Sequence, residues 1–154
     1  MIARRALLAA PAVSLLLAQC GPAPPPPPAV VEVQIKSGKD QNRDTSGAPV
    51  AVAVRLYGLN ASGRFSGADV YALMERERAT LGEESNGSEE AIIRPGENRK
   101  VTLNPKTGTC FLGVAVLFRD IDRATWRQLA PVAASGLTKF VLTINGATAK
   151  LEPA

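Results

Sequence analysis

Apolar and polar residues alternate along much of the chain with a period of two. In VEVQIK, Val31, Val33 and Ile35 alternate with Glu32, Gln34 and Lys36. Successive side chains leave a strand on opposite faces, so this pattern predicts a strand with one buried and one wet side. VAVAVRLYGL repeats it, with Val50, Val52, Val54 and Leu56 as the large apolar row and Ala51, Ala53, Arg55 and Tyr57 opposite. EEAIIRP and NRKVTLN flank Pro95-Gly96, a turn signal that makes them a hairpin or a crossing between sheets. CFLGVAVLFR is apolar on both faces, as a central strand is, and places Cys110 at its start as a buried single thiol. KFVLTI and ATAKLE are joined by Asn145-Gly146, whose residues accept the positive φ values of a type I′ hairpin turn. These runs predict about seven strands in one mainly β domain.

One segment changes period. SGADVYALMERERATLG, from Ser66 to Gly82, sets Val70, Leu73, Met74 and Leu81 on one helical face, with Glu75, Arg76 and Arg78 away from it. Ser66 is a suitable N-cap, Asp69 falls in the first turn and Gly82 is a stop signal. The spacing predicts a single amphipathic helix of about four turns laid on the β structure.

The N-terminus follows a third pattern. Arg4 and Arg5 precede the uncharged residues Ala6 to Ala18, the order of a secretory signal. This apolar run is shorter than the roughly 20 residues a membrane-spanning helix needs. Leu17-Ala18-Gln19-Cys20 resembles a bacterial lipobox, which makes residues 1–19 a signal peptide and Cys20 the lipid-bearing N-terminus of the mature chain. Ordinary cleavage leaving a free or disulfide-bonded Cys20 is the alternative. Gly21 after the cysteine resembles the pattern that sends lipoproteins to the outer membrane. Six prolines follow within residues 22–28, so residues 20–29 form a stiff tether of up to about 30 Å at ~3.1 Å per residue. Residues 30–154 are then the folded domain.

Composition narrows the chemistry. Without Arg4 and Arg5, 16 basic residues face 14 acidic ones, and no basic cluster is interleaved with aromatics, which argues against nucleic acid as a partner. The chain has no histidine and two cysteines, which excludes Ser-His-Asp and Cys-His nucleophilic sites and leaves no credible zinc site. The reading is therefore not an enzyme, with no cofactor beyond the covalent lipid. Asp120 and Asp122 read as surface charge at a strand exit, Trp126 as packing over the sandwich end, and Glu83, Glu84, Glu89 and Glu90 as a solvated acidic loop.

Six blocks then carry a family resemblance: VRLYGL at 54–59; Phe65, Ala68 and Asp69; Leu73, Leu81 and Gly82; Pro95-Gly96; LGV at 112–114; and FRDID-x-A-x-WR at 118–127. In order and spacing they resemble the outer-membrane lipoprotein of the type VI secretion system, the TssJ family. The resemblance implies a transthyretin-like β-sandwich of about seven to eight strands with one added helix. It also implies a lipid anchor in the outer membrane facing the periplasm, and a structural role in a multi-copy membrane complex. The implied partner is the periplasmic C-terminal part of the inner-membrane subunit TssM, held by the loop between the first two strands. That loop is SGKDQNRDTSGAP, residues 37–49, in which Asp40, Asn42 and Gly47 fall on the family pattern and Arg43 replaces its proline.

The loop's composition agrees. Thirteen residues rich in Lys, Asp, Asn, Arg, Ser and Gly exceed the usual two to five of a hairpin, and such length is often functional or disordered. Lys39 and Arg43 balance Asp40 and Asp44, so recognition rests on hydrogen bonds and shape more than net attraction. Lys39, Asp40, Asn42, Arg43, Asp44 and Gly47 are the candidate partner-binding residues. Asp40, Asn42 and Asp44 are expected to be surface residues, replaceable by alanine with little loss of stability. The alternative function is a periplasmic binding or adhesion module for a small ligand or polysaccharide, which the seven aromatic residues of the chain are too few to furnish with a stacking platform.

Overall fold

The eight strands of the computed structural model, which describes residues 21–154, pair into two four-stranded sheets. Residues 1–19, read as a signal peptide, and Cys20 lie outside the described residues. In chain order the elements are β1 (Ala29–Ser37), β2 (Val52–Leu59), α1 (Gly63–Gly67), α2 (Val70–Glu75), α3 (Glu77–Leu81), β3 (Ser85–Ile93), β4 (Asn98–Leu103), β5 (Phe111–Leu117), β6 (Arg127–Pro131), β7 (Gly136–Asn145) and β8 (Thr148–Pro153). One sheet has the order β4-β1-β7-β8 and the other β3-β2-β5-β6. Only β1 and β7 run parallel; the other neighbours are antiparallel. This is the expected transthyretin-like sandwich, and β3 and β4 are a crossing between sheets rather than a hairpin.

Two apolar cores follow from the alternation. Between the sheets, Val31, Val33 and Ile35 of β1 meet Val52, Val54 and Leu56 of β2, with Val114, Val116, Leu142 and Ile144 completing the layer. On the outer face of the second sheet, Tyr57, Leu59 and Ala115 pack against Phe65, Val70, Leu73 and Leu81 of the helical segment. The central strand β5 is therefore apolar on both faces because both are covered. Gly113 is required there, since a Cβ would lie 2.9 Å from the Phe65 ring.

The structure corrects several expectations. The single helix is three short ones: Asp69, not Ser66, caps α2, its Oδ1 accepting from Ala72 N at 2.9 Å, and the chain breaks again at Arg76. The acidic loop is instead a 3-10 turn at Gly82–Glu84 followed by edge strand β3, whose Glu90 pairs with Arg55 of β2. Strand β6, RQLAP, went unpredicted because it has no alternation. Cys110 is exposed, not buried: it stands one residue before β5, where only its backbone is used, donating to Leu59 O at 2.8 Å and accepting from Val132 N at 2.9 Å. The final hairpin turns on Gly146 and Ala147, with Asn145 still paired to Thr148. Gly146 has φ +57° at the first central position and Ala147 is not in the positive region, which is the type II′ rather than the type I′ arrangement.

Trp126 is half-buried against both cores, as expected of a side chain over the sandwich end. The Arg127 guanidinium lies 4.3 Å from its ring centroid and donates to the carbonyls of Phe65, Ser66 and Ala68, binding the helical segment to β6.

Strand directions give the sandwich two distinct ends. Strands β1 and β7 begin at one end, where the carbonyls of Pro27 and Pro28 accept from Gly136 N at 3.3 and 3.2 Å. The crossings 104–110 and 132–135 lie at this proline-rich end, as the pairing of Phe111 with Pro131 requires. The β1–β2 loop, the turn at 94–97, the segment 118–126 and the β7–β8 turn lie at the other.

Candidate partner-binding site

Residues 38–51 connect β1 to β2 and cross between the sheets. Their length is not slack, because the base of the loop is tied to three neighbouring segments. Gly38 N donates to Ile144 O at 2.7 Å, Asn42 N to Gly146 O at 2.7 Å, and Gly96 N to Gly38 O at 3.2 Å. Gln41 is wholly buried, its Nε2 donating to Ile93 O at 2.7 Å and Val50 O at 3.2 Å while its Oε1 accepts from the Ser37 hydroxyl.

Asn42 is the second tie. It is 4 % exposed and has φ +48°, a left-handed conformation that asparagine tolerates better than most residues. Its Nδ2 donates to Ala51 O at 2.9 Å, and its Oδ1 accepts from Arg119 N at 2.8 Å. The expected surface contact at Asn42 is therefore corrected: this side chain is spent inside the protein, joining the loop to the β5 exit.

Beyond Asn42 the chain forms a small closed tip. Arg43 and Pro49 make an antiparallel bridge, and Asp44 exchanges backbone hydrogen bonds with Gly47 and Ala48 at 2.9 and 2.8 Å. Gly47, at φ +83°, occupies a position that a side chain would strain. The Asp44 carboxylate accepts from Ser46 Oγ at 2.6 Å, Ser46 N at 2.9 Å and Ala48 N at 3.0 Å. The Ser46 hydroxyl above all, then the Ala48 amide, holds the Asp44 carboxyl below its ordinary pKa. Arg43 donates to Gly47 O at 2.7 Å. Lys39, Asp40, Arg43, Thr45, Ser46 and Pro49 remain exposed on this framework.

A depressed carboxylate pKa means that the folded tip favours the ionised form, so its contribution to order is fully present above the unfolded pKa and is lost as pH falls through the folded one. The Ser46 and Ala48 amides are therefore expected to stay protected at neutral pH and to lose protection together below the ordinary carboxylate range. Amide exchange measured against pH checks this; Asp44→Asn should abolish the acid transition, and an unchanged transition would assign it to another group.

Sequence reasoning missed Arg119, which shares a surface groove with Arg43, Asp44, Thr45 and Asp120. It stands in the FRDID block, but its place beside the loop depends on the contact with Asn42, 77 residues away. Asp120 and Asp122 are exposed surface charges at a 3-10 turn, Ile121–Arg123, and not a carboxylate pair in a cleft. Arg43, Asp44 and Gly47 lie together in the tip, whereas Lys39 lies beside Gly96 and Asp40 beside Gly38 and Gly146, and Cys20 is outside the described residues.

A proline-rich segment lies at one end of the small sandwich and a pre-shaped polar loop at the other. The chain belongs to a family described as type VI secretion lipoprotein, VasD, EvfM, TssJ, whose model matches residues 29–147. It is similar to the crystal structure of the type VI secretion lipoprotein TssJ1 from Pseudomonas aeruginosa, with 29% identity and a TM-score of 0.79 over 83% of this chain and 98% of that one. It shares the fold of Serratia marcescens Lip, a membrane-bound component of the type VI secretion system, with 19% identity and a TM-score of 0.70 over 82% and 96% of the two chains. It also matches a chain in the structure described as the TssM C-terminal domain (869–1107) from EAEC, with 24% identity and a TM-score of 0.69 over 81% and 98%. No curated protein matches the sequence. The resemblance read from the six motif blocks is thus borne out for family and fold.

Proposed function

We propose that this lipoprotein anchors a type VI secretion complex to the outer membrane, with lipid on Cys20 and the periplasmic C-terminal part of TssM held by the loop between β1 and β2. The observation that carries this reading is that tether and loop lie at opposite ends of the sandwich, joined directly by β1. Nine residues of strand, at ~3.3 Å each, set them about 30 Å apart. A domain hung from the membrane by Ala29 therefore presents its loop away from that membrane, toward a partner crossing the periplasm.

The alternative of a polysaccharide-binding module finds little support in the surface. Of the seven aromatic residues, Tyr71 alone is exposed, and one ring does not make a stacking platform. A structural role also accords with a family of secretion lipoproteins and with a site made of loop shape rather than a catalytic constellation.

Lipid attachment and partner binding use opposite ends, so they separate genetically. Cys20→Ser is expected to release the protein from the outer-membrane fraction while leaving co-purification with the TssM periplasmic domain intact. Density-gradient fractionation of envelopes, followed by pull-down of the tagged full-length chain, tests both parts. Retention of Cys20→Ser in the outer membrane would remove the lipid anchor, and failure of the wild type to retrieve TssM would remove the partner.

A further inference from the structure

The far end of the sandwich carries a second surface beside the loop tip. Two grooves, of about 460 and 380 Å³, meet at Arg119. The first is charged and runs along Arg43, Asp44 and Thr45. The second is floored by Ala51, Ala53 and Leu117 and walled by Tyr71 of α2. Both are open and shallow, a form that takes a protein segment rather than enclosing a small molecule.

Arg119 is exposed, and among the described residues its guanidinium makes no hydrogen bond or ion pair. Of the neighbouring carboxylates, Asp44 accepts from Ser46 and Ala48 and feels the Arg119 charge without bonding to it, and Asp120 lies 3.9 Å from Arg123. Arg43 donates into its own tip at Gly47 O. The Arg119 backbone is fixed by Asn42, so the base of this cation is held in place while its head is left for an outside acceptor. Tyr71 complements it. Helix α2 buries Val70, Ala72, Leu73 and Met74 but leaves Tyr71 47 % exposed, outside the apolar face of the segment. Tyrosine and arginine are the side chains that most often dominate protein interfaces, the first by apolar area and the second by its bidentate grip on carboxylates.

We infer that the partner's polypeptide extends from the loop tip across this groove, placing an acidic side chain on Arg119 and a neighbouring apolar side chain against Tyr71. The inference rests on the partner reading above and adds to it the two residues outside the loop that select the bound segment. The occupant is an extended acidic–apolar stretch of the TssM periplasmic domain, because Arg119 is the one charged side chain lining the second groove and the floor of that groove is apolar.

Titration of the full-length lipoprotein in detergent micelles with the TssM periplasmic C-terminal domain of the same organism tests this. Tyr71→Ala and Arg119→Ala are each expected to weaken binding about tenfold or more with thermal unfolding unchanged. Arg119→Ala should also flatten the salt dependence of binding, while Arg119→Lys should keep that dependence and recover only part of the affinity. If both alanine variants bind within about twofold of wild type, and a shortened loop tip abolishes binding, the groove is overturned and the loop interface stands. If the wild type does not bind, the partner reading and the groove fall together.

Discussion

Asn42→Ala is expected to cost the domain about 3 kcal/mol, a loss readable as a lower urea midpoint or a melting temperature reduced by about 10 °C. Three terms act in the same direction. The Ala51 carbonyl loses its 2.9 Å donor and the Arg119 amide its 2.8 Å acceptor, each worth about 0.5–1.5 kcal/mol at this partly buried place. Alanine also tolerates φ +48° less well than asparagine, adding on the order of 1 kcal/mol. Asn42→Gly isolates the last term, because it relieves the backbone while still losing both bonds; it should fall between wild type and alanine. Aspartate keeps an acceptor for Arg119 but places a charge against the Ala51 carbonyl, so it should not rescue. An alanine variant within about 0.5 kcal/mol of wild type would mean that the loop base is not built as described.

Removal of the tip has the opposite signature. Replacing residues 43–49 by a short glycine link is expected to weaken TssM binding by about a hundredfold, or ~2.7 kcal/mol, while changing stability by less than about 1 kcal/mol. The tip's hydrogen bonds close mostly on itself: Arg43 with Gly47, and Asp44 with Ser46, Gly47 and Ala48. The ties to the sandwich are made by Gly38, Gln41 and Asn42, which the replacement leaves in place. A pre-shaped loop also loses little conformational entropy on binding, so its exposed Lys39, Asp40, Arg43 and Thr45 act from fixed positions. Calorimetric titration and urea unfolding of the same variant check the two halves. A tip-less protein that binds as tightly as wild type would place the interface elsewhere.

The contrast between these variants shows where sequence reading reached and where it stopped. The strands with a clean period of two, β1, β2 and β7, and the doubly apolar β5 were legible because side-chain alternation and burial on both faces are written locally. Strand β6 was not, since its Leu129 faces outward and its pairing with β5 is a tertiary fact. The first half of β3, with Ser85, Gly87 and Ser88, reads as loop; it becomes strand by pairing with β2, while both serine hydroxyls donate to Glu77 of α3. The loop of residues 37–49 stands out by its length and motif, yet the roles inside it are hidden. Asn42 belongs to the motif for shape rather than contact, and Gln41 resembles any polar loop residue until Ile93 O is brought beneath it. Cys110 sits beside an apolar run, but strand onset one residue later turns its side chain to solvent.

The central claim is a bridge with lipid at one end of the sandwich and TssM at the other. Site-specific photocross-linking in intact cells tests it most directly, with a photoreactive residue placed at Thr45 in the loop tip or at Thr107 in the proline-rich end, both exposed. The account predicts a TssM adduct from Thr45 and none from Thr107. A TssM adduct from Thr107 with none from Thr45 would contradict it.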